Sequence, residues 1–341
     1  MGEEQRPCRS GEDQLRSSGE DDRISGLPDE LLHDILVRLR SAHAAARTGV
    51  LSRRWRRLWR HLPELVLDVN AGDPLAPPPP PALFLDSVDG ALAGYAAPTV
   101  DRLGISVSNG HGFRVRLERV APWLRFAAER VAGELELYVP RTGLLTRWRL
   151  KLDLDDDEEV LVLELPACER AESIVLFLAE SWRLQLRPAG MFAALTSLYI
   201  IRGEMEGSEL TALVCTRCPR LRKLSLFLEL VDISDLSVRS GTLQSLVFCV
   251  QYTGRLEVVA PRLEMVSISH AKEAHISAPK LAVIDWLGDP YDPRRHRFAD
   301  VGRCLRALKI GQDSVVASLV RQFDEVDELD LEIYIRKVCW L

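Results

Sequence analysis

The sequence has few of the features that indicate catalysis, secretion or membrane insertion. It contains no Walker loop, no dinucleotide-binding glycine fingerprint and no HExxH motif, and Gly104–Ser108 departs from a nucleophile elbow at one residue. Aliphatic runs such as Ile174–Ala179 are far shorter than the about 20 residues that span a bilayer. Residues 1–22 lack the apolar core of a secretory signal. We therefore expect that the protein is neither an enzyme nor membrane-bound. We expect it to be located in the cytoplasm and/or nucleus.

Patterns that would indicate a metal or a cofactor are weak, so we expect that the protein binds no metal and no cofactor. The 7 cysteines are odd in number and scattered, which is typical of reduced thiols inside a cell. Cys215 and Cys218 form a CxxC without a second pair at suitable spacing, so they are predicted as core thiols rather than zinc ligands. The acidic run Asp153–Glu159 is spaced partly like a calcium loop, but Glu158 stands where glycine is required.

Length and composition indicate a folded protein with one large and one small domain. Its 341 residues are 47% hydrophobic and 28% charged, as in globular chains. Residues 1–22 are polar and predict a disordered tail, residues 23–62 a helical module, and residues 63–341 the large domain. Residues 73–81 end in a run of prolines, which predicts a stiff surface loop.

Apolar periodicity in the large domain predicts alternating helices and strands. A short strand is predicted over Glu64–Asp68. Helix, strand, helix and strand then follow over residues 84–95, 103–107, 117–131 and 135–139.

The second half contains an internal repeat. In it, a small residue and Pro or Gly are followed by leucine, with apolar residues three and five positions later. The repeat is seen over residues 218–226, 240–248, 260–268 and 278–286. Its period is about 20 residues, which is typical of solenoids, because one coil cannot bury its own apolar face. This L-x-x-L-x-L core resembles leucine-rich repeats.

The resemblance implies an α/β solenoid with parallel strands on the concave side and short helices or turns on the convex side. Narrow strand-turn-strand coils are expected late in the array and helix-backed coils earlier. Further strands are predicted over residues 195–200, 305–310 and 329–333. The apolar finish at Cys339–Leu341 differs from the polar cap of most solenoids, so further coils could be missing or the tail could fold back.

The helical module shows two amphipathic segments. Pro28 suits a first helical position, and the residues after it place leucine and isoleucine on one broad face. In the second segment Trp55, Leu58, Trp59 and Leu62 stand at i, i+3, i+4 and i+7. A piece of this size cannot bury that much apolar surface alone, so the solenoid or another protein is expected to cover it.

Residues 23–62 resemble an F-box in the form common in large plant families. The matching pattern reads D-R-I-S-x-L-P-D-E-L-L-x-x-I-L, then A-A-R-T-x-V-L-S-R-R-W-R-x-L-W. Followed by leucine-rich repeats, it resembles the plant F-box/LRR family. The resemblance implies a small three-helix F-box and a substrate-recognition subunit of an SCF-type ubiquitin ligase. The F-box would bind a Skp-type adaptor and through it a cullin, and the repeats would bind the target for ubiquitination.

The resemblance also implies a set of adaptor contacts. They are Leu27, Pro28, Leu31, Leu32, Ile35, Leu36, Val50, Leu51, Trp55, Leu58 and Trp59. The pattern does not decide which of these side chains face the adaptor and which fill the module's own core. The loop after the first helix departs from the family, because Arg40 stands where many relatives have proline.

Two other functions stay open at this stage. The chain could be an LRR scaffold that binds partners without a ligase role. The arginines between Arg53 and Arg60, beside two tryptophans, could bind nucleic acid, but the net charge of −6 disfavours this. Neither the target nor a small-molecule co-ligand is readable from the residues. Concave positions that could face a partner include Ser225, Ser245, Val247, Glu264, Ser267 and Asp285.

Overall fold

A computed structural model of the chain describes the F-box region in part and most of the solenoid. The described residues are 26–38, 54–69, 79–107, 115–139, 161–286, 292–299, 301, 305–310 and 330–333. Several predictions lie outside these residues. They are the tail 1–22, most of the proline-rich loop, the acidic run Asp153–Glu159, the predicted contacts Val50 and Leu51, and the C-terminal end.

Two helical segments of the N-terminal module are described. Helix α1 spans Asp29–Arg38, with acidic residues in its first turn and Arg38 in its last, which suits the helix dipole. The carbonyl of Pro28 accepts the first helical hydrogen bond, from the N–H of Leu32 at 3.1 Å. Helix α2 spans Trp55–Leu58 and continues as a 3₁₀ turn over Trp59–His61. The middle helix that the F-box resemblance implies lies outside the described residues.

The rest of the described chain is mostly parallel strand with three helices. The elements are β1 Glu64–Asp68, α3 Pro81–Gly94, β2 Val100–Ser106, α4 Leu117–Arg130, β3 Val131–Tyr138, β4 Leu161–Leu165, β5 Ser173–Phe177, β6 Trp182–Leu186, β7 Ser197–Met205, α5 Gly207–Ala212 with a π-helical turn Leu213–Arg217, β8 Lys223–Arg239, β9 Ser245–Val259, β10 Met265–Ser277, β11 Val283–Trp286, β12 His296–Ala299, β13 Ala307–Ile310 and β14 Asp330–Ile333. The predicted order of helices and strands over residues 84–139 is confirmed.

The 14 described strands are linked into one parallel sheet. It divides into two parts that share the longest strands, and we call these parts the first and the second sheet. The first sheet runs in the order β1-β2-β3-β5-β7-β8-β9-β10-β11-β13-β14. The second contains β4, β6, β12 and the distal halves of β7 to β10. Between the two sheets the register shifts and the chain bends. Arg202, Tyr252 and His270 lie at these bends with φ of 64°, 62° and 63°, a left-handed conformation that costs about 1–2 kcal/mol per residue.

The repeat leucines fill the interior of the solenoid. Leu221, Leu243, Leu263 and Leu281 each have 0% exposure. The backbone around them also forms a ladder between coils: the N–H of Glu264 donates to the Gln244 carbonyl at 2.8 Å. The predicted solenoid is therefore confirmed, with each coil burying the apolar face of its neighbour.

Helices back only the earlier coils of the described chain. Helices α3 and α4 precede β2 and β3, and α5 lies between β7 and β8. The turns that join β8, β9 and β10 contain no helix, as expected for the narrow late coils. None of the described helices is both long and apolar enough to cross a membrane.

Candidate protein-docking site on the N-terminal module

The N-terminal module has its own small hydrophobic core. Leu32, Leu36, Trp55 and Leu62 are buried together, with exposures of 0%, 1%, 3% and 3%. Half-buried side chains around them are Leu27, Val37, Leu58 and Trp59. Since burying one such side chain contributes about 1.5–3 kcal/mol, this cluster holds α1 against α2.

Polar contacts fix the same two helices to each other. The Arg54 guanidinium forms an ion pair with the Asp29 carboxylate at the start of α1. In the middle of α1, Nε2 of His33 lies 3.1 Å from the His61 carbonyl oxygen and donates to it in the matching tautomer. The orientation of α1 is therefore set by packing and by hydrogen bonds.

Helix α2 is in turn joined to the first coil of the solenoid. The Tyr95 hydroxyl lies 2.6 Å from the Leu62 carbonyl oxygen and 3.0 Å from that of Thr99. The N–H of Asp101 donates to the Pro63 carbonyl at 2.7 Å. Burial, reinforced by the charge of Asp101, raises the pKa of Tyr95 to about 12. The segment that follows α2 thus fastens the module to the first coil of the solenoid.

An apolar face of α1 next to the one that packs into this core is open to solvent. Leu31 and Ile35 are 48% and 40% exposed, and Pro28 is also exposed. These three residues stand at i, i+3 and i+7 and form one line along the helix, which we call the docking stripe. An aligned set of exposed apolar side chains is typical of a surface that binds another protein.

The structure divides the adaptor contacts predicted from the resemblance into three groups. Pro28, Leu31 and Ile35 lie on the docking stripe, and Leu27, Leu58 and Trp59 are half-buried against the module's core. Leu32, Leu36 and Trp55 lie inside the module. The helical period contains the signal for this division, because consecutive residues on a helix point about 100° apart. The sequence pattern alone does not show which side the solenoid takes.

Arginines near α2 take part in internal contacts. Arg54 pairs with Asp29, and the side chain of Arg60 donates to the Gly94 carbonyl. Arg57 is exposed. These contacts favour a structural role for part of the arginine cluster and give no support to nucleic-acid binding.

The described cysteines are free thiols, and the structure explains two of them as core residues. Burial raises the pKa of both Cys168 and Cys218 to about 12, so each stays a neutral thiol. The prediction of core thiols is confirmed for Cys218 but not for Cys215, which is only half-buried. Within the part of the chain that the structure describes, no three His, Cys, Asp or Glu residues are grouped to hold a metal ion.

The fold and the docking stripe define a leucine-rich-repeat protein with an N-terminal helical docking module. Comparison with protein families agrees with this class. Residues 24–67 match the F-box domain, and residues 120–322 match the family described as FBD-associated F-box protein At5g56370, LRR repeats. The second match covers more than half of the chain, which therefore belongs to this family of F-box proteins with leucine-rich repeats.

Curated relatives come from Arabidopsis thaliana and rice. The chain is 31% identical to F-box protein At5g03100 of Arabidopsis thaliana over 122 residues, 36% of this chain and 34% of that protein. It is 27% identical to MEIOTIC F-BOX protein MOF of Oryza sativa subsp. japonica over 329 residues, 91% of this chain and 60% of that protein. Putative F-box protein At1g67390 of Arabidopsis thaliana is 27% identical over 310 residues, 87% and 60% of the two chains. The chain thus spans less than two thirds of each relative. No solved structure matches it.

Proposed function

We propose that this chain is the substrate-recognition subunit of an SCF-type ubiquitin ligase. The F-box binds a Skp-type adaptor and through it a cullin, and the repeats bind the target protein. The observation that carries this proposal is the docking stripe, which α1 exposes to solvent while the adjacent face of the helix is buried. The F-box match over the same helix supports the adaptor as the partner of the stripe.

In this proposal some of the described side chains contact the adaptor, and others hold the docking stripe in place. Pro28, Leu31 and Ile35 contact the adaptor, and Leu27, Leu58 and Trp59 extend the contact at its margin. Leu32, Leu36 and Trp55 are packed inside the module and keep α1, which carries the stripe, in position. Val50 and Leu51 remain predicted contacts.

The role of the chain in this proposal is proximity, not chemistry. F-box proteins with leucine-rich repeats are generally adaptors rather than enzymes, and this chain belongs to them. By holding a target beside the transferred ubiquitin, the chain raises the effective concentration of target lysines into the millimolar range. We place this action in the cytoplasm and/or nucleus.

Binding of the purified full chain to a Skp-type adaptor tests the docking stripe. Buried apolar anchors contribute about 2 kcal/mol or more each, so Leu31→Ser with Ile35→Ser should weaken the adaptor Kd by at least about a hundredfold. Leu83→Ser is the matched control, because Leu83 is 59% exposed but lies on α3 of the solenoid. An unchanged adaptor Kd in a folded double variant would refute the assigned interface.

A reconstituted transfer assay separates the ligase role from that of a scaffold. The chain is combined with adaptor, cullin and a bound target, and ubiquitin on the target is measured. Transfer that disappears with the docking-stripe variant supports the proposal. A complex that holds both partners without transfer would instead indicate an LRR scaffold without a ligase role.

A further inference from the structure

The outer face of the first sheet is nearly free of charge in its central strands. Along β5, β7 and β9 the outward positions of this sheet hold serine, valine, tyrosine, isoleucine, phenylalanine and cysteine. On β8 the outward positions add Lys223, Ser225, Phe227 and Glu229. Their two charged residues lie at opposite ends of the row: Lys223 where β8 begins, and Glu229 just before the bend.

Aromatic side chains on this face meet across neighbouring strands. The ring centroids of Tyr138 and Phe177 lie 4.4 Å apart, and those of Tyr199 and Phe227 lie 5.7 Å apart. We name the half-buried set Tyr138, Val175, Phe177, Tyr199, Ile201 and Phe227 the aromatic band. Its rings are paired and therefore ordered before any partner arrives.

The outer face of the second sheet has the opposite character, although β8 and β9 contribute to both. Nη2 of Arg239 donates to both carboxylate oxygens of Glu257, at 2.9 and 3.0 Å. Arg255 pairs with Glu273 at 3.0 Å. Charged ladders of this kind are what exposed sheet faces usually carry, because they discourage association. The same strands therefore carry paired charges across the second sheet, whereas on the first sheet their charges, Lys223 and Glu229 of β8, lie at the ends of the row.

Carboxylates outnumber cations next to the aromatic band. On β1 to β3 the outward positions include Glu64, Glu134, Glu136 and one arginine, Arg102. Arg102 binds Glu134 at 3.2 Å and Glu136 at 2.9 Å. The hydrogen bond to Glu136 and the nearby negative charges raise the pKa of Arg102 despite partial burial. The cluster keeps a net negative charge, which would attract a cation at this end of the band.

The size of the aromatic band suits a short extended peptide that crosses the strands. From β3 through β5 and β7 to β8 there are three strand spacings, together about 14 Å. An extended chain covers that distance with about four or five residues. Two or three apolar side chains of such a peptide could contact the rings at once.

We propose that the aromatic band binds an extended segment of the target protein, in which apolar or aromatic side chains are followed by lysine or arginine. The apolar part lies across β5, β7 and β8, and the basic part lies over Glu134 and Glu136. This inference rests on the proposed function, since it names the kind of target that the repeats present to the ligase.

The probe for this site is a phage library of random peptides of about ten residues, long enough to cross the band with a flank. The library is selected on the full chain, and the enriched peptides are synthesised and titrated by fluorescence anisotropy. Enriched sequences should combine apolar or aromatic residues with a basic end. Exchanging the basic end for glutamates should weaken binding to the wild-type chain at least about tenfold. Enrichment without this charge bias would overturn the proposal.

Variants of the chain locate the peptide. Phe177→Ser with Phe227→Ser should raise the peptide Kd at least about tenfold, and Glu134→Gln with Glu136→Gln should raise it and reduce its salt dependence. Val162→Ser is the control, because Val162 is 43% exposed on the second sheet. Equal peptide binding by the phenylalanine variant and the control would overturn the proposal. So would a wild-type dimer that the phenylalanine variant dissociates, since the band would then hold a second copy.

Failure of this inference is distinguishable from failure of the proposed function. The phenylalanine variant should keep the wild-type adaptor Kd, and the docking-stripe variant should keep the wild-type peptide Kd. Loss of peptide binding in the docking-stripe variant would contradict the separation of the two sites.

Discussion

Leu31 and Leu32 are consecutive on α1 but have opposite environments, with 48% and 0% of their surfaces exposed. Leu32 packs with Leu36, Trp55 and Leu62 inside the module, whereas Leu31 lies on the docking stripe. The pair separates two properties of one helix: the stability of the module and the proposed binding of a partner.

The first prediction concerns this pair. Leu32→Ala should lower the free energy of unfolding by about 2–5 kcal/mol, because it removes buried methyl groups and leaves a cavity. Leu31→Ala should change it by less than about 0.5 kcal/mol. Urea denaturation followed by tryptophan fluorescence measures both. Similar losses for the two variants would mean that Leu31 is covered in the free protein.

The second prediction concerns the joint at Tyr95. Tyr95→Phe removes the hydroxyl that lies beside the Leu62 and Thr99 carbonyls, and should cost about 1–3 kcal/mol of unfolding free energy. Urea denaturation measures this loss. Phe84→Tyr, which adds a hydroxyl elsewhere in the first coil, is measured in parallel to show how a change of one hydroxyl at another site affects the unfolding free energy.

The same hydroxyl predicts a dependence of stability on pH. The pKa of Tyr95 is raised from 10.0 to about 12, so the folded chain binds this proton more tightly than the unfolded chain. The stabilisation is complete below pH 10 and is lost as the pH rises toward 12. Tm measured across this range should fall less steeply in Tyr95→Phe than in the wild type. Parallel curves would show that the phenol does not contribute.

The third prediction uses two glycines. A Cβ at Gly133 would lie 2.5 Å from the Asp101 carbonyl oxygen, which belongs to the backbone and cannot move aside easily. Gly133→Ala should therefore destabilise the chain by about 1–3 kcal/mol. A Cβ at Gly90, within α3, meets nothing within 4 Å, so Gly90→Ala should stabilise by about 0.5–1 kcal/mol. Thermal denaturation of both variants checks the opposite signs.

The fourth prediction concerns thiol reactivity. Burial raises the pKa of Cys168 and Cys218 to about 12, and the thiolate is the reactive form. Iodoacetamide should therefore modify these two cysteines more slowly than the half-buried Cys215 in the native protein. Peptide mapping by mass spectrometry follows each site, and urea should abolish the difference. Fast native modification of Cys218 would contradict its place in the core.

Much of the solenoid could be predicted from the sequence, because its coils repeat one local pattern. Leu221 and Leu263 recur at equivalent positions, and each is fully buried where the repeat places it. The alternation of helix and strand before the repeats was equally accessible, since α3 and α4 have clear apolar periodicity.

The bends and the faces proposed to bind partners could not be predicted in the same way. Arg202, Tyr252 and His270 adopt positive φ, a conformation whose usual sequence signal is glycine or asparagine. The strand segments on either side of these bends belong to single long strands, a continuity that periodicity does not reveal. The aromatic band and the docking stripe likewise depend on which side of an element the remainder of the chain covers.

The hydrogen bonds of Tyr95 and Asp101 to the end of α2 have a consequence for any protein held on the repeats. A target bound to the repeats would be held at a constant distance and angle from the catalytic part of the proposed ligase, because the F-box and the repeats would not move independently. Under the proposed function, ubiquitination would then depend on the position of each lysine. Lysines that face the ligase would be modified, and a target whose lysines all face away would be bound without being modified.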